Sequence, residues 1–300
     1  MSILPICFYP MRKVLLDDDQ TFSESVLLKL HGKNIISYQS PNALLEYLST
    51  YSPKLTRTAL IDKSPSMLDS SSKQLIGIDL QQLKDELEKP THDDINVLFV
   101  DYHMPEMQGL DFLKQIKNSP IKKALITGEK DYKIAVDAFN TGLVDAYIRK
   151  DDPNFSTKIA EVLKELEWKY FAELSNIIAG IPNFDFLKHD TLITNFNIFR
   201  EQNDIQAFCL AHVQGDFICK NSKGEFSYFI VRTKDQLEEL ANMAREDGAS
   251  DEVVESIHSG KAIPFFGSKE SWEVPASKWD EYLYRLLHID NTALFWSKII

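Results

Sequence analysis

No apolar run in this 300-residue chain approaches the roughly 18 residues that span a bilayer, so no transmembrane helix is expected. Cysteine is scarce. Cys7, Cys209 and Cys219 are an odd number without metal-type spacing, which reads as reduced, buried and inert thiols. Basic residues are in deficit, 33 against 45 acidic, for a net charge of -12. That balance argues against a nucleic-acid surface. The apolar start, Met1 to Pro10, lacks the basic segment and small-residue cleavage site of a signal peptide. A cytoplasmic protein with no membrane or nucleic-acid partner is the expectation. Its length predicts two domains, and 44% hydrophobic with 26% charged residues is ordinary for a globular chain.

What is present centres on Val97-Leu98-Phe99-Val100-Asp101. The run has no polar alternation, so it reads as a strand buried on both faces. Asp101 then stands at its carboxyl end, where open α/β sheets place their chemistry. Met104-Pro105 and Gly109 follow at short offsets and force a tight exit. A second apolar stretch, Lys13 to Leu16, ends in Asp17-Asp18-Asp19. Read alone, this is a solvated loop with Asp19 capping a helix that begins near Thr21. Read with Asp101, two strand ends converge on one divalent ion, and hard carboxylate oxygens suit Mg²⁺.

Two further strands complete the pattern. Lys122 to Thr127 ends in a hydroxyl followed by Gly128, and Ala146 to Arg149 ends beside Lys150. Between them Tyr132 to Gly142 has helical periodicity, with Ile134, Ala135, Ala138 and Phe139 on one face. Alternating strands and helices predict a parallel, doubly wound sheet.

Over about residues 11–170 this ordered set resembles the receiver domain of bacterial two-component response regulators. The resemblance implies an α/β flavodoxin-like fold, a parallel five-stranded sheet of order 2-1-3-4-5. It implies that Asp101 accepts a phosphoryl group from a sensor histidine kinase or phosphotransfer protein. Asp17, Asp18, Asp101 and the carbonyl of Tyr102 would hold Mg²⁺. Lys150 and Thr127 would take phosphoryl oxygens, and Tyr147 would follow Thr127 as the switch aromatic. His103 and Glu129, two residues beyond Asp101 and Thr127, would tune hydrolysis by gating water. Homodimerisation through helix 4, strand 5 and helix 5 is also implied.

Two departures stand out. Asp151-Asp152-Pro153 replaces the proline that usually follows the lysine, so no cis bond is required there. An insertion covers about 49–94. Within it Tyr51-Ser52-Pro53 breaks a helix, 63–73 reads as a Ser-rich loop, and Ile78 to Glu88 reads as an amphipathic helix. That insertion is either an elaboration on the receiver's edge or a docking element for a kinase or the C-terminal half. Phe155 to Ile178 reads as one long amphipathic helix that outruns the receiver past Trp168. It would serve as linker or dimer helix, stopped by Gly180-Ile181-Pro182.

Residues 181–300 read as an α+β output domain of unrecognised class. Gln206 to His212, Asp216 to Lys220 and Phe226 to Arg232 form an antiparallel meander. Thr233 and Gln236 make a capping box for a helix reaching Asp247, with Gly248 as its stop. A short helix over Asp251 to Ser259 and a last helix over about Ser277 to His288 follow. This half carries no phosphate loop, cyclase signature or paired His-Asp metal motif, and its acidic excess opposes a recognition helix. Three functions fit: a phosphorylation switch acting on dimerisation or on protein or ligand binding, a phosphate sink or shuttle with a structural tail, and an unrecognised enzymatic or nucleotide-binding output.

Overall fold

A computed structural model describes residues 3–53, 61–62, 77–89, 92–128, 132–176, 178, 182–267, 273–289 and 294–299. The chain forms two compact units that do not follow chain order. One is Phe8–Asp79 with Glu88–Ile177; the other is Met1–Cys7, Leu80–Leu87 and Ile178–Ile300.

After the short strand β1 (Cys7–Phe8), the first unit builds a parallel sheet from β2 (Arg12–Leu16), β3 (Ile35–Tyr38), β6 (Ile95–Asp101), β7 (Lys122–Thr127) and β8 (Ala146–Arg149). Their order is β3-β2-β6-β7-β8, which is the expected 2-1-3-4-5 winding. The insertion adds a small antiparallel pair, β4 (Ile61–Asp62) and β5 (Gly77–Ile78). The Ser-rich stretch expected as a loop over 63–73 lies outside the described residues.

All seven residues of β6 are buried, as its unbroken apolar run requires. Leu98 and Val100 pack under α2 (Pro41–Thr50), α4 (Gly109–Gln115) and α5 (Tyr132–Asn140), with Leu44, Phe112 and Ala135. Val97 and Phe99 pack on the opposite face under α1 (Gln20–Lys29) and α6 (Phe155–Ser175), with Val26, Ile159 and Leu163. Burying Phe99 and Phe112 completely contributes roughly 2–3 kcal/mol each. The part of α6 beyond Trp168 is not a free helix: Tyr170, Phe171 and Leu174 are buried. Its polar side is held by Lys122–Glu173 at 2.5 Å and Lys169–Asp145 at 2.7 Å.

The second unit contains a six-stranded sheet of order β1, β9 (Ile205–His212), β10 (Asp216–Asn221), β11 (Phe226–Thr233), β15 (Leu294–Ile299) and β14 (Leu287–His288). Its strands β9, β10 and β11 form the expected meander. The helix α3 (Leu80–Glu88), supplied by the insertion, belongs to this unit and not to the receiver's edge. Its Leu83 and Leu87 are buried, and Lys220 Nζ reaches the Leu87 carbonyl at 3.4 Å. α3 has no basic residue in its last turn, so this contact supplies the positive charge its carbonyl end favours.

Helix α7 (Asp190–Gln202) brings Phe196 and Phe199 against Phe208, Phe217 and Phe229. Another helical pair, α8 (Lys234–Glu246) and α9 (Asp251–His258), packs with Ile230 in a separate cluster. The Thr233–Gln236 capping box forms at α8. Helix α7 escaped the sequence reading. The expected helix over 277–288 is instead a 3-10 segment, Ala276–Tyr282, followed by β13 (Leu283–Arg285) and β14 (Leu287–His288). These strands pair with β12 (Ala262–Pro264) and β15 (Leu294–Ile299), and that non-local pairing overrides the local helical spacing.

One ion cluster sets a pH dependence for this unit. Asp216, 7% exposed, accepts from Arg232 at 2.5 Å and lies 2.9 Å from His212 Nδ1. Burial opposes its ionisation, but these partners outweigh burial and hold its pKa below the usual carboxylate value. The stabilisation is therefore full above the unfolded value near 4 and is lost as pH falls through the depressed folded value. Asp216→Asn is expected to cost about 3 kcal/mol at pH 7. Urea melts at pH 7 and pH 3 check this, and an equal gap at both would refute it.

Candidate functional site

The carboxyl ends of β2, β6, β7 and β8 gather Asp17, Asp101, Thr127 and Lys150 at one edge of the parallel sheet. Parallel pairing enforces this, since Leu16 lies opposite Val100 and Asp101 opposite Ile126. Thr127 lies opposite Arg149, which places Lys150 one residue beyond. Lys150 Nζ is 2.8 Å from both Asp101 Oδ1 and Asp17 Oδ2. The ammonium also lies over the Phe22 ring, 4.3 Å from its centroid.

Local sequence fixes each group. Asp19 caps α1 by accepting from Phe22 N at 3.0 Å, and its own N–H donates to Asp17 Oδ1 at 3.0 Å. Asp17 is therefore turned inward while Asp18 stays exposed. Asp151 is paired with Arg149 at 2.6 and 3.0 Å, and Asp152 with Lys158. Both acids are thus engaged by other cations, and Lys150 reaches Asp101. No cis peptide occurs among the described residues.

Gly109 is required by space. A Cβ there would lie 2.2 Å from the Asp101 carbonyl oxygen, against backbone that cannot give way. Its N–H donates to the Tyr102 carbonyl at 2.9 Å, closing the turn after β6. Gly109→Ala is expected to destabilise this unit by about 1–3 kcal/mol, as overpacking does. It should also displace Asp101. Denaturant midpoints measure the first effect, and an unchanged midpoint would show that the turn relaxes freely.

Burial pushes the Asp101 and Asp17 carboxyls above their usual pKa, although Lys150 pulls both down. Burial works against the charge on Lys150, but its contacts with Asp101 and Asp17 outweigh burial and raise its pKa. Asp17, Asp18 and Asp101 bring oxygen atoms within 4.8 Å of one another. Three carboxylates face one ammonium, an excess of 3 − 1 = 2 negative charges when all are ionised. Asp17 Oδ2, although near Lys150, has no aligned hydrogen-bond donor. Hard oxygens and excess negative charge fit a divalent cation such as Mg²⁺.

Thr127 is buried, and its hydroxyl donates to the Gly128 carbonyl at 3.2 Å. Tyr147 is partly buried and meets the Phe139 ring edge-on at 6.3 Å. His103 is exposed, its ring 4.6 Å from that of Tyr102. Glu129 lies outside the described residues. Phe22 is the group at this site that sequence reasoning missed. As one apolar residue on a helix it reads as core, and only tertiary placement puts it against Lys150.

A doubly wound parallel sheet thus carries an acid pair, an acid, a hydroxyl and a lysine at the carboxyl ends of β2, β6, β7 and β8. Residues 60–164 match the family described as the response regulator receiver domain. The matched stretch holds Asp101, Thr127, Tyr147 and Lys150; Asp17 and Asp18 precede it, ahead of the inserted segment. The chain thus carries a response-regulator receiver domain. Among solved structures it is similar to the Legionella pneumophila response regulator LqsR, at 25% identity and TM-score 0.78, covering 100% of this chain and 90% of that one. A response regulator receiver domain from Clostridium thermocellum is 16% identical with TM-score 0.35, covering 53% of this chain and 95% of that one. No curated protein matches the chain. No described helix is long and apolar enough to cross a membrane.

Proposed function

We propose that this protein is a phosphorylation switch in which Asp101 accepts a phosphoryl group from phosphohistidine on a sensor kinase or phosphotransfer protein. The observation that carries the reading is Lys150 bridging Asp17 and Asp101 at 2.8 Å each, beside Asp18 in a carboxylate-rich mouth. Lys150 takes Asp101 Oδ1, and no described donor meets Oδ2, which makes Oδ2 the nucleophile. The phosphorus–nitrogen bond of the donor breaks as the bond to Oδ2 forms, and the imidazole leaves.

The catalytic demand is mostly positioning and charge stabilisation. Lys150 favours the ionised form of Asp101 against burial and then neutralises one phosphoryl oxygen. The Thr127 hydroxyl leaves the Gly128 carbonyl and takes another. Asp17, Asp18, Asp101 and the remaining lone pair of the Tyr102 carbonyl would hold Mg²⁺. That ion, when bound, neutralises charge that accumulates on the phosphoryl oxygens. His103 and Glu129 would gate water at the rim.

Movement of Thr127 opens space for Tyr147, and the surface of α5 and β8 changes with it. That surface exposes Ile134 (39%) and Phe139 (47%), an apolar pair suited to a protein contact or a second copy. The output is then protein or ligand binding by the C-terminal unit, with no nucleic acid. Hydrogen exchange with and without Mg²⁺ and beryllofluoride tests the switch. Slower exchange around Thr127 and Tyr147 is expected, and no change there would sink the reading.

A further inference from the structure

The chain passes between its two units at Cys7/Phe8, at Asp79/Leu80, at Leu87/Glu88 and at Ile177/Ile178. Three of these passages leave the receiver close to one aromatic cluster that lies wholly within it. Phe8 and Tyr9 follow the first. His92 follows the return from α3. Phe171 precedes the exit of α6. Phe8 and Phe171 rings are 5.1 Å apart, Tyr9 and Phe171 6.0 Å, and Tyr9 stacks on His92 at 5.0 Å and 24°. Tyr9 is fully buried, Phe171 is fully buried, and His92 is 6% exposed.

The segment around His92 and the helix that carries Phe171 are also held to the receiver beside the cluster. Asn34 Nδ2 donates to the His92 carbonyl at 3.2 Å, and Arg12 pairs with Asp93 at 2.5 Å. Tyr51 Oη accepts from Ile95 N at 2.7 Å, at the start of the strand that ends in Asp101. The helix that carries Phe171 also carries Ile159 and Leu163, which pack on Phe99 and Ile126 of the same sheet. Phe171 is thus tied through α6 to the sheet that carries Asp101 and through ring contacts to Phe8 and Tyr9, and close-packed rings have few alternative arrangements.

We infer that the Phe8–Tyr9–His92–Phe171 cluster is a coupling node through which the phosphorylation state of the receiver is passed to the C-terminal unit. This rests on the switch proposed above and adds the route by which it leaves the receiver. Signal transfer through the terminal helix alone would make the passages at Phe8 and His92 irrelevant. The node instead moves three chain connections together. Phe171 and Tyr9 act as positioning residues and touch no phosphoryl oxygen.

Hydrogen exchange on the full chain, with and without Mg²⁺ and beryllofluoride, separates the possibilities. In the unmodified protein both the strand ends around Thr127 and peptides of 182–267 are expected to change. In Phe171→Ala and in the milder Phe171→Leu and Tyr9→Leu, the Thr127 response should persist. The response of 182–267 should fall at least about fivefold, the low end of measured couplings. A full C-terminal response in all three variants overturns the node. So does an unmodified protein whose receiver responds while 182–267 does not. Silence at Thr127 in the unmodified protein would instead refute the switch itself. The retained receiver response reports folding of each variant, and the two leucine variants serve if the alanine variant fails to fold.

Discussion

An Asp101→Asn chain mixed with acetyl phosphate and Mg²⁺ is expected to take up essentially no acid-labile phosphate, at least about 100-fold less than the unmodified chain. The substitution keeps the shape of the side chain and removes the anionic oxygen. An amide oxygen is a poor nucleophile, and its partner Lys150 then faces Asp17 alone. Lys150→Ala should behave differently. It leaves the acceptor in place but removes a cation 2.8 Å from it, so uptake should persist at a rate lower by about 10²–10³, as for loss of one transition-state donor. Phosphate content and its rate of appearance, read by intact mass over time, distinguish the two. Equal uptake by Asp101→Asn and the unmodified chain would remove Asp101 from the acceptor role.

The second large effect is on stability. Lys13 on β2 and Glu167 on α6 form an ion pair at 2.5 Å, and their side chains are only 2% and 7% exposed. Burial pulls the Lys13 pKa down, although Glu167 pushes it up, so the pair is held at a real desolvation cost. Glu167→Ala leaves a lysine charge in the core with no partner. A loss of about 3–5 kcal/mol is expected, which a urea or guanidinium titration resolves easily. Replacing both, Lys13→Met with Glu167→Leu, should recover most of that loss, because well-packed apolar residues avoid the desolvation cost. A single variant as stable as the original would mean that α6 is held by its apolar stripe alone. Leu163 and Leu166 would then do the work without the charge pair.

Asp101, Asp17, Thr127 and Lys150 were legible because each follows an apolar strand, and parallel strands bring their carboxyl ends together. The signal lies in order along the chain, and it needs no knowledge of distance. The meander of β9, β10 and β11 was legible for a similar reason, since its turns at Gln214-Gly215 and Asn221 to Gly224 are local. Gly215 has φ 114° and Gly224 φ 82°, conformations that favour glycine, so the residue type is what marks these turns in the sequence. The capping box at Thr233 is equally local.

Elements failed where partners are distant. The stretch Ser277 to His288 has helical spacing, but Leu283 to Arg285 pairs with Ala262 to Pro264, and Leu287 pairs with Trp296. The insertion helix gives a clear amphipathic pattern. Nothing in that pattern says which apolar surface it covers, and α3 joins the unit built from the other end of the chain. The extension of α6 was similar. Its apolar stripe was visible, whereas the aromatic rings of Phe8 and Tyr9 that meet Phe171 were not.

The amino-acid sequence by itself determined strand burial and the residues at the sheet's mouth, which are set by patterns of a few neighbouring positions; the strand order followed only from the resemblance to receiver domains. Only the tertiary structure decided that Lys150 bridges two acids, that Gly109 lies against the Asp101 carbonyl, and that Met1–Cys7 and α3 complete the C-terminal unit. The physical reason is common to all three. Local propensity and periodicity state which face of an element must be buried, but burial is indifferent to where along the chain the covering atoms come from.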